Sequence, residues 1–267
     1  MHIGRCFFIL FLTLSLNSKK VSAQVSLSVG PGITSYSGDI SGPNLRFIRP
    51  AVNGEVWYRL NGNFYAKAGT GIYRIYAEDV HPDRNRAFRA NHYDAYLGMV
   101  YMPMPYQKVA PFFTAGIGIT KVDPTHKVPL IGSEGHWWLN SSKWLPDGRP
   151  IPSPAIIFPV GLGIQVRLSN KFALVADGVL RLTNTDMLDG VGSSEVYVAQ
   201  IDGIGKRYFE TIRPNGVGGN DVLGNGNPEV VDSYGIFSVR LQYFIGDIFP
   251  TNKTGKKGGK ILCPTYE

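Results

Sequence analysis

The chain has 267 residues, and its 27 Lys and Arg against 20 Asp and Glu give a formal net charge of +7. So small an excess, with no basic run interleaved with aromatics at strand spacing, gives no ground for a nucleic-acid-binding protein. Charged residues make up only 18% of the chain while Gly (32), Tyr (14) and Phe (14) are plentiful. Beyond the N-terminal segment no apolar run approaches the ~20 residues of a membrane helix, so any membrane crossing must be made by closed strands.

The first residues read as a secretory signal. Arg5 supplies the positive charge, residues 6–16 form an almost unbroken apolar run, and Val21-Ser22-Ala23 offers a small-x-small cleavage site before Gln24. Cleavage there would remove Arg5, Lys19 and Lys20 and lower the net charge to about +4. Cys6 would go too, leaving Cys263 as the one thiol of the mature chain and excluding a disulfide framework within one copy. The expected organisation is a signal peptide over 1–23, one strand domain over 24–249 and a basic tail over 250–267.

Period-two alternation then recurs along the chain. In residues 24–33, Val25, Leu27 and Val29 alternate with Ser26, Ser28 and Gly30. In 51–60, Val52, Val56, Tyr58 and Leu60 oppose Asn53, Glu55, Trp57 and Arg59. In 64–75, Phe64, Ala66, Ala68 and Ile72 oppose Lys67, Gly69 and Gly71, and in 92–101, Tyr93, Leu97 and Met99 oppose His92, Asp94 and Tyr96. In 113–120, Phe113, Ile117 and Ile119 oppose Thr114, Gly116 and Gly118. In 160–168, Val160, Leu162 and Ile164 oppose Gly161, Gly163, Gln165 and Arg167. In 172–182, Phe172, Leu174 and Leu180 oppose Asp177 and Arg181, and in 237–245, Phe237, Val239 and Leu241 oppose Ser238, Arg240 and Gln242. These are eight segments, each near the ~9–11 residues of a tilted membrane strand.

The links settle the class. The very long ones, 121–154 and 183–232, fall at the same end as 39–45 and 78–86, whereas 61–63 and 169–171 are tight turns at the other end. Long loops at one end and short turns at the other characterise outer-membrane barrels. No charge stands on the apolar faces, where Arg or Lys would cost ~2–4 kcal/mol at mid-membrane. The opposite faces carry paired glycines and charges of both signs, and an eight-stranded barrel has an interior just wide enough for side chains to fill. The expected fold is all-β, a single eight-stranded antiparallel up-and-down transmembrane barrel with long extracellular loops, short periplasmic turns and both termini periplasmic. Glu55, Arg59, Lys67, Asp94, Arg167, Asp177, Arg181 and Arg240 are expected to form a structural charge network in the lumen, without a pore.

Nothing catalytic stands out. His92 and Asp94, or Asp79, His81 and Asp83, could in principle supply an acid and a base, but no nucleophile or signature accompanies them. His126 and His136 share a loop without zinc-site spacing and are expected to be solvated. One imperfect Gly/Asn-rich copy at 218–223 does not make a calcium-binding repeat. No enzyme, metal or cofactor is expected. Trp137, Trp138 and Trp144 suit either a headgroup layer or a partner surface. Lys253, Lys256, Lys257 and Lys260, with Cys263, form either a solvated extension or a strip for a periplasmic partner.

Several short motifs, taken in order, resemble the PorG-like outer-membrane β-barrels associated with the type IX secretion system. They are Tyr36-Ser37-Gly38-Asp39, Ile48-Arg49-Pro50-Ala51, Tyr58-Arg59, Arg86-Ala87-Phe88-Arg89, Pro111-Phe112 and Asp123-Pro124. Phe158-Pro159-Val160-Gly161-Leu162-Gly163, Thr185-Asp186-Met187-Leu188-Asp189 and Cys263-Pro264 complete the set, while the Gly/Asn-rich stretch 191–232 departs from it. The resemblance implies a non-enzymatic scaffold that sits among outer-membrane lipids. It would hold a periplasmic ring, made of a lipoprotein and its partner subunit, through its turns and tail. The other expectation is a small barrel serving envelope integrity or surface adhesion through its loops.

Overall fold

The computed structural model describes residues 25–79, 86–129, 135–141, 151–192, 195–197, 222–224 and 231–245. The expected signal and basic tail lie outside these. The strands are β1 (Val25–Ser37), β2 (Arg49–Asn61), β3 (Phe64–Glu78), β4 (Ala87–Tyr101), β5 (Val109–Thr120), β6 (Pro124–Pro129), β7 (His136–Asn140), β8 (Ala155–Arg167), β9 (Phe172–Thr183), β10 (Glu195–Tyr197), β11 (Val222–Gly224) and β12 (Ser233–Ile245). Eight of them, β1 to β5 with β8, β9 and β12, pair antiparallel in sequence order, and β12 pairs with β1. The result is a closed eight-stranded up-and-down barrel, which leaves no sheet edge among these strands.

The alternation places the side chains as the sequence predicts. Leu162 (65% exposed), Leu241 (50%), Leu174 (37%) and Val239 (36%) lie on the outside, with an apolar ring of neighbours from every strand. Inward positions such as Glu55, Asp94, Asp177 and Arg240 are buried. Exposed aromatics (Tyr58, Phe64, Tyr101, Phe113, Phe172 and Tyr243) gird the short-turn end, as they do at a membrane interface. At the other end the apolar band stops where Arg74 and Arg89 point outward, Arg74 donating to Asn91 at 2.9 Å. An apolar girdle around a polar, closed interior is the surface of a transmembrane barrel of the outer-membrane type.

Two features differ from expectation. The strands are 12 to 15 residues long, more than the ~9–11 needed to cross. Most of the excess lies at the long-loop end, and there the interior is mainly apolar, with the buried Asp79–Arg86 pair beside it. Tyr36, Tyr73, Ile75, Phe88, Ile157 and Ile236 pack with Leu188 and Val191, which fold in from the chain after β9. At the short-turn end Trp57, Val100, Met102, Phe112 and Val175 form a second apolar cluster. The charges therefore occupy a middle layer between two apolar stoppers.

The long link after β5 is also not a plain loop. β6 adds to the extended upper part of β4, pairing Phe88 with His126 and Ala90 with Pro124, and turns back through β7. The sheet thus rises beyond the barrel on one side. β10 and β11 form a separate two-stranded ladder within the 183–232 link.

Candidate functional site

Two buried polar constellations are built on this frame. The first is the middle layer. Glu55 on β2 receives hydrogen bonds from Lys67 Nζ (3.2 Å), Trp57 Nε1 (2.6 Å) and the Tyr96 hydroxyl (2.5 Å), and pairs with Arg240 at 3.1 Å. Arg240 also pairs with Asp177 at 2.7 Å and donates to Ser238, which donates in turn to the other Asp177 oxygen at 2.6 Å. Asp94 meets Arg181 at 2.6 Å, and the Arg181 guanidinium lies within 6 Å of the rings of Tyr73, Tyr96 and Tyr234, a stabilising placement for a desolvated cation.

Three carboxylates thus face three cations, drawn from β2, β3, β4, β9 and β12, and their side chains are 2% exposed or less. Ions withdrawn from water stay ionised only with such partners. Gly69 and Gly118 make the space. A Cβ on Gly69 would come within 2.4 Å of the Tyr96 ring, and one on Gly118 within 2.5 Å of the Tyr96 Cβ. Either would push the Tyr96 hydroxyl off Glu55.

Of the eight charges expected in the lumen, six form this layer and two lie apart. Arg59 donates to the Gly62 carbonyl and the Tyr106 hydroxyl, and Arg167 to the carbonyls of Pro105 and Tyr106. Both sit at the short-turn rim, where they hold the turn between β4 and β5. Lys253, Lys256, Lys257, Lys260 and Cys263 lie outside the described residues, as do His81, Asp83 and Trp144. His92 is fully buried and stacks on Tyr73 at 5.6 Å. It sits apart from the Asp94–Arg181 pair in role, its Nδ1 facing the Thr120 hydroxyl at 3.4 Å. Asp79 pairs with Arg86 at 2.6 Å.

The second constellation was not expected from the sequence. At the barrel mouth the Tyr36 hydroxyl is 2.7 Å from Asp189 Oδ2 and 2.8 Å from Asp232 Oδ1. Asp232 Oδ2 accepts the Leu188 N–H and Asp189 Oδ1 the Val191 N–H, both at 2.8 Å. These bonds pin the segment after β9 into the mouth. His126, expected to be a solvated loop residue, is fully buried, and its Nε2 meets the Asp189 carbonyl at 2.7 Å. The backbone oxygen can only accept, so Nε2 carries the proton. Burial holds His126 down to about 4 and hence neutral. Gly190 turns the segment with φ +84°, a region open to glycine at no steric cost, and a side chain there would strike the His126 ring.

A tyrosine hydroxyl has one proton, yet two acid oxygens lie within bonding distance of it. That one proton serves both acids, which lie close enough for their charges to oppose each other. Burial raises Asp189 to about 7, with Asp39 adding to the rise against the Tyr36 and Val191 hydrogen bonds and Arg86. Burial, then the charge of Asp189, raises Asp232 well above the usual carboxylate range. The sequence signal for this site was present in part. Tyr36 to Asp39, Arg86 to Arg89, Asp123-Pro124 and Thr185 to Asp189 are four of the nine motifs that carry the family resemblance, and the fold brings these four to one place.

Arg240→Leu leaves Glu55 and Asp177 short of a cation in the dry layer and should cost about 3–5 kcal/mol, the range for breaking a buried pair. Arg59→Leu, at the half-exposed rim, should cost no more than ~1 kcal/mol; urea unfolding in lipid vesicles measures both. For the mouth, a carboxyl raised in the folded state contributes stability that is full below its ordinary value near ~4 and is lost as pH rises through its folded value. The 183–192 segment should accordingly exchange its amide hydrogens more readily at pH 8 than at pH 5, beyond the intrinsic exchange rate. Asp189→Asn should flatten that dependence.

No family model matches the chain, and no curated protein matches it. Among solved structures it is similar to Ail, the attachment invasion locus protein of Yersinia pestis (13% identity, 84% of this chain and 99% of that chain, TM-score 0.42). It is similar also to Neisserial surface protein A (12%, 82% and 96%, TM-score 0.43) and to the N-terminal β-barrel domain of Pseudomonas aeruginosa OprF (11%, 82% and 97%, TM-score 0.34).

Proposed function

We propose that the chain is a non-enzymatic outer-membrane anchor that holds a periplasmic assembly, of the kind formed by a ring lipoprotein and its partner subunit in a type IX-like secretion machine. The observation that supports this reading is the occluded lumen. Apolar clusters close the bore at both ends of a charge-balanced middle layer, so transport through the barrel is not what the interior suits. What remains for function is what the barrel carries outside the bilayer. In this proposal the short turns and both termini face the periplasm. The tail offers Lys253, Lys256, Lys257 and Lys260 among glycines, with Cys263 near its end, to an acidic face of the ring. The order of family-like motifs, several of which meet at the barrel mouth, supports the family assignment.

A second reading, adhesion or envelope integrity through the loops, is favoured by a different observation. The β6–β7 hairpin lifts the sheet past the barrel and presents Trp137 58% exposed. Beside it Trp138 is covered by the Arg89 guanidinium at 4.4 Å. Exposed Trp and Arg are common anchors of protein interfaces.

Affinity purification from detergent-solubilised, lightly cross-linked membranes separates the two. The anchor proposal expects a periplasmic lipoprotein to co-purify, to be lost when the chain is cut after Phe249, and to survive Trp137→Ser. Recovery of no periplasmic protein, with cell-surface binding abolished by Trp137→Ser, would favour the loops instead.

A further inference from the structure

The outer wall is not evenly covered. Three glycines take outward positions on the barrel, Gly54, Gly178 and Gly235, and a Cβ on either of the last two would meet nothing within 4 Å. Gly178 lies beside Phe237, and Gly235 beside Leu180, on the paired strands β9 and β12. The register continues to Ile33 on β1 and Leu162 on β8. Two missing side chains in adjacent cross-strand rows therefore leave a diagonal trough, walled by Phe237, Leu180, Ile33 and Leu162. Above it the three-residue 3-10 helix Leu45–Phe47 and the residue after it overhang the wall, so that Leu45 and Ile48 roof the trough. The hollow measures about 520 Å³, within the span of ligand-sized pockets.

We infer that this trough seats one acyl chain of a bilayer lipid, held alongside β9 and β12 with its upper carbons under Leu45. Three observations point to that occupant. The trough is continuous with the lipid-facing band, and apart from Thr34 and Ser35 of β1 its lining side chains are apolar. Its floor runs diagonally across two open glycines on adjacent strands, a groove that a flexible chain can follow along its length. Leu45 stands 86% exposed on a loop beyond the strands, where contact with a lipid's upper carbons would shield it from water. Within the bilayer no hydrophobic gain distinguishes a wall from neighbouring lipid tails. Retention comes instead from dispersion contacts on three sides of the chain rather than one.

The inference does not depend on the anchor proposal. Native mass spectrometry of the full chain, extracted from membranes in mild detergent, reads it directly. The wild type should carry one lipid adduct. Gly178→Leu with Gly235→Leu should lose it, and Gly54→Leu should keep it. Gly54 is outward on β2, away from the trough, and its Cβ would meet only the Ser28 carbonyl at 3.7 Å. Should the double variant fail to fold, Leu45→Asn opens the roof without touching a strand and should lower the lipid-bound fraction several-fold. A wild type without lipid, equal adducts on wild type and both trough variants, or a lipid-free dimer would each overturn the inference.

Discussion

A backbone in hydrocarbon has no water to bond, so every N–H and C=O of a crossing strand must find another strand. Closure of β3 onto β4 and of β12 onto β1 meets that demand around the whole circumference. Everything else about the chain follows from how eight closed strands divide their side chains. Period two sends one set into lipid and the other into a bore too narrow for bulk water. The outer set needs only to be apolar. The inner set must fill a fixed volume and satisfy every polar group it includes, which is the harder condition.

The molecule meets most of that condition in layers, with the Asn53 amide and His92 Nε2 left without a hydrogen-bond partner. In the middle layer the charges have partners on several strands, so Glu55 is held by four donors and Arg240 joins it to Asp177. Above and below, where the chain leaves the bilayer, the interior reverts to the aromatic and aliphatic packing of a soluble core. The upper core is completed by a segment far along the chain. Leu188 and Val191 reach into it, and the paired acids with Tyr36 hold them there. The bore is filled through its middle by paired charges, and the paired acids sit at the mouth.

How much of this the sequence reveals depends on range. The strands, their faces and the inside-out distribution are local, written in alternation such as Phe237, Val239, Leu241 against Ser238, Arg240, Gln242, and they were legible. The sign mixture of the inward charges showed that pairing was needed, but not the pairs. Arg59 and Arg167 share the inward parity yet lie one rim away, because parity gives a face and says nothing of height. The ends of the strands were read short because inward Ile75, Phe88 and Ile236 break a polar-in pattern that applies only inside the bilayer. His126 and the acid pair were illegible for a further reason. They join β1, β6 and the two ends of the 183–232 link, and no periodicity spans such separations.

The apolar face looks into lipid and the polar face into a sealed bore. Single cysteines along β12 test this arrangement, introduced into a Cys6→Ser, Cys263→Ser background in proteoliposomes. Cysteines at Phe237, Val239 and Leu241 should react with a lipid-soluble maleimide and resist a charged, water-soluble one, while a cysteine at Ser238 should resist both. Ready labelling of Val239→Cys or Leu241→Cys by the charged reagent, or of Ser238→Cys from bulk water, would contradict the account.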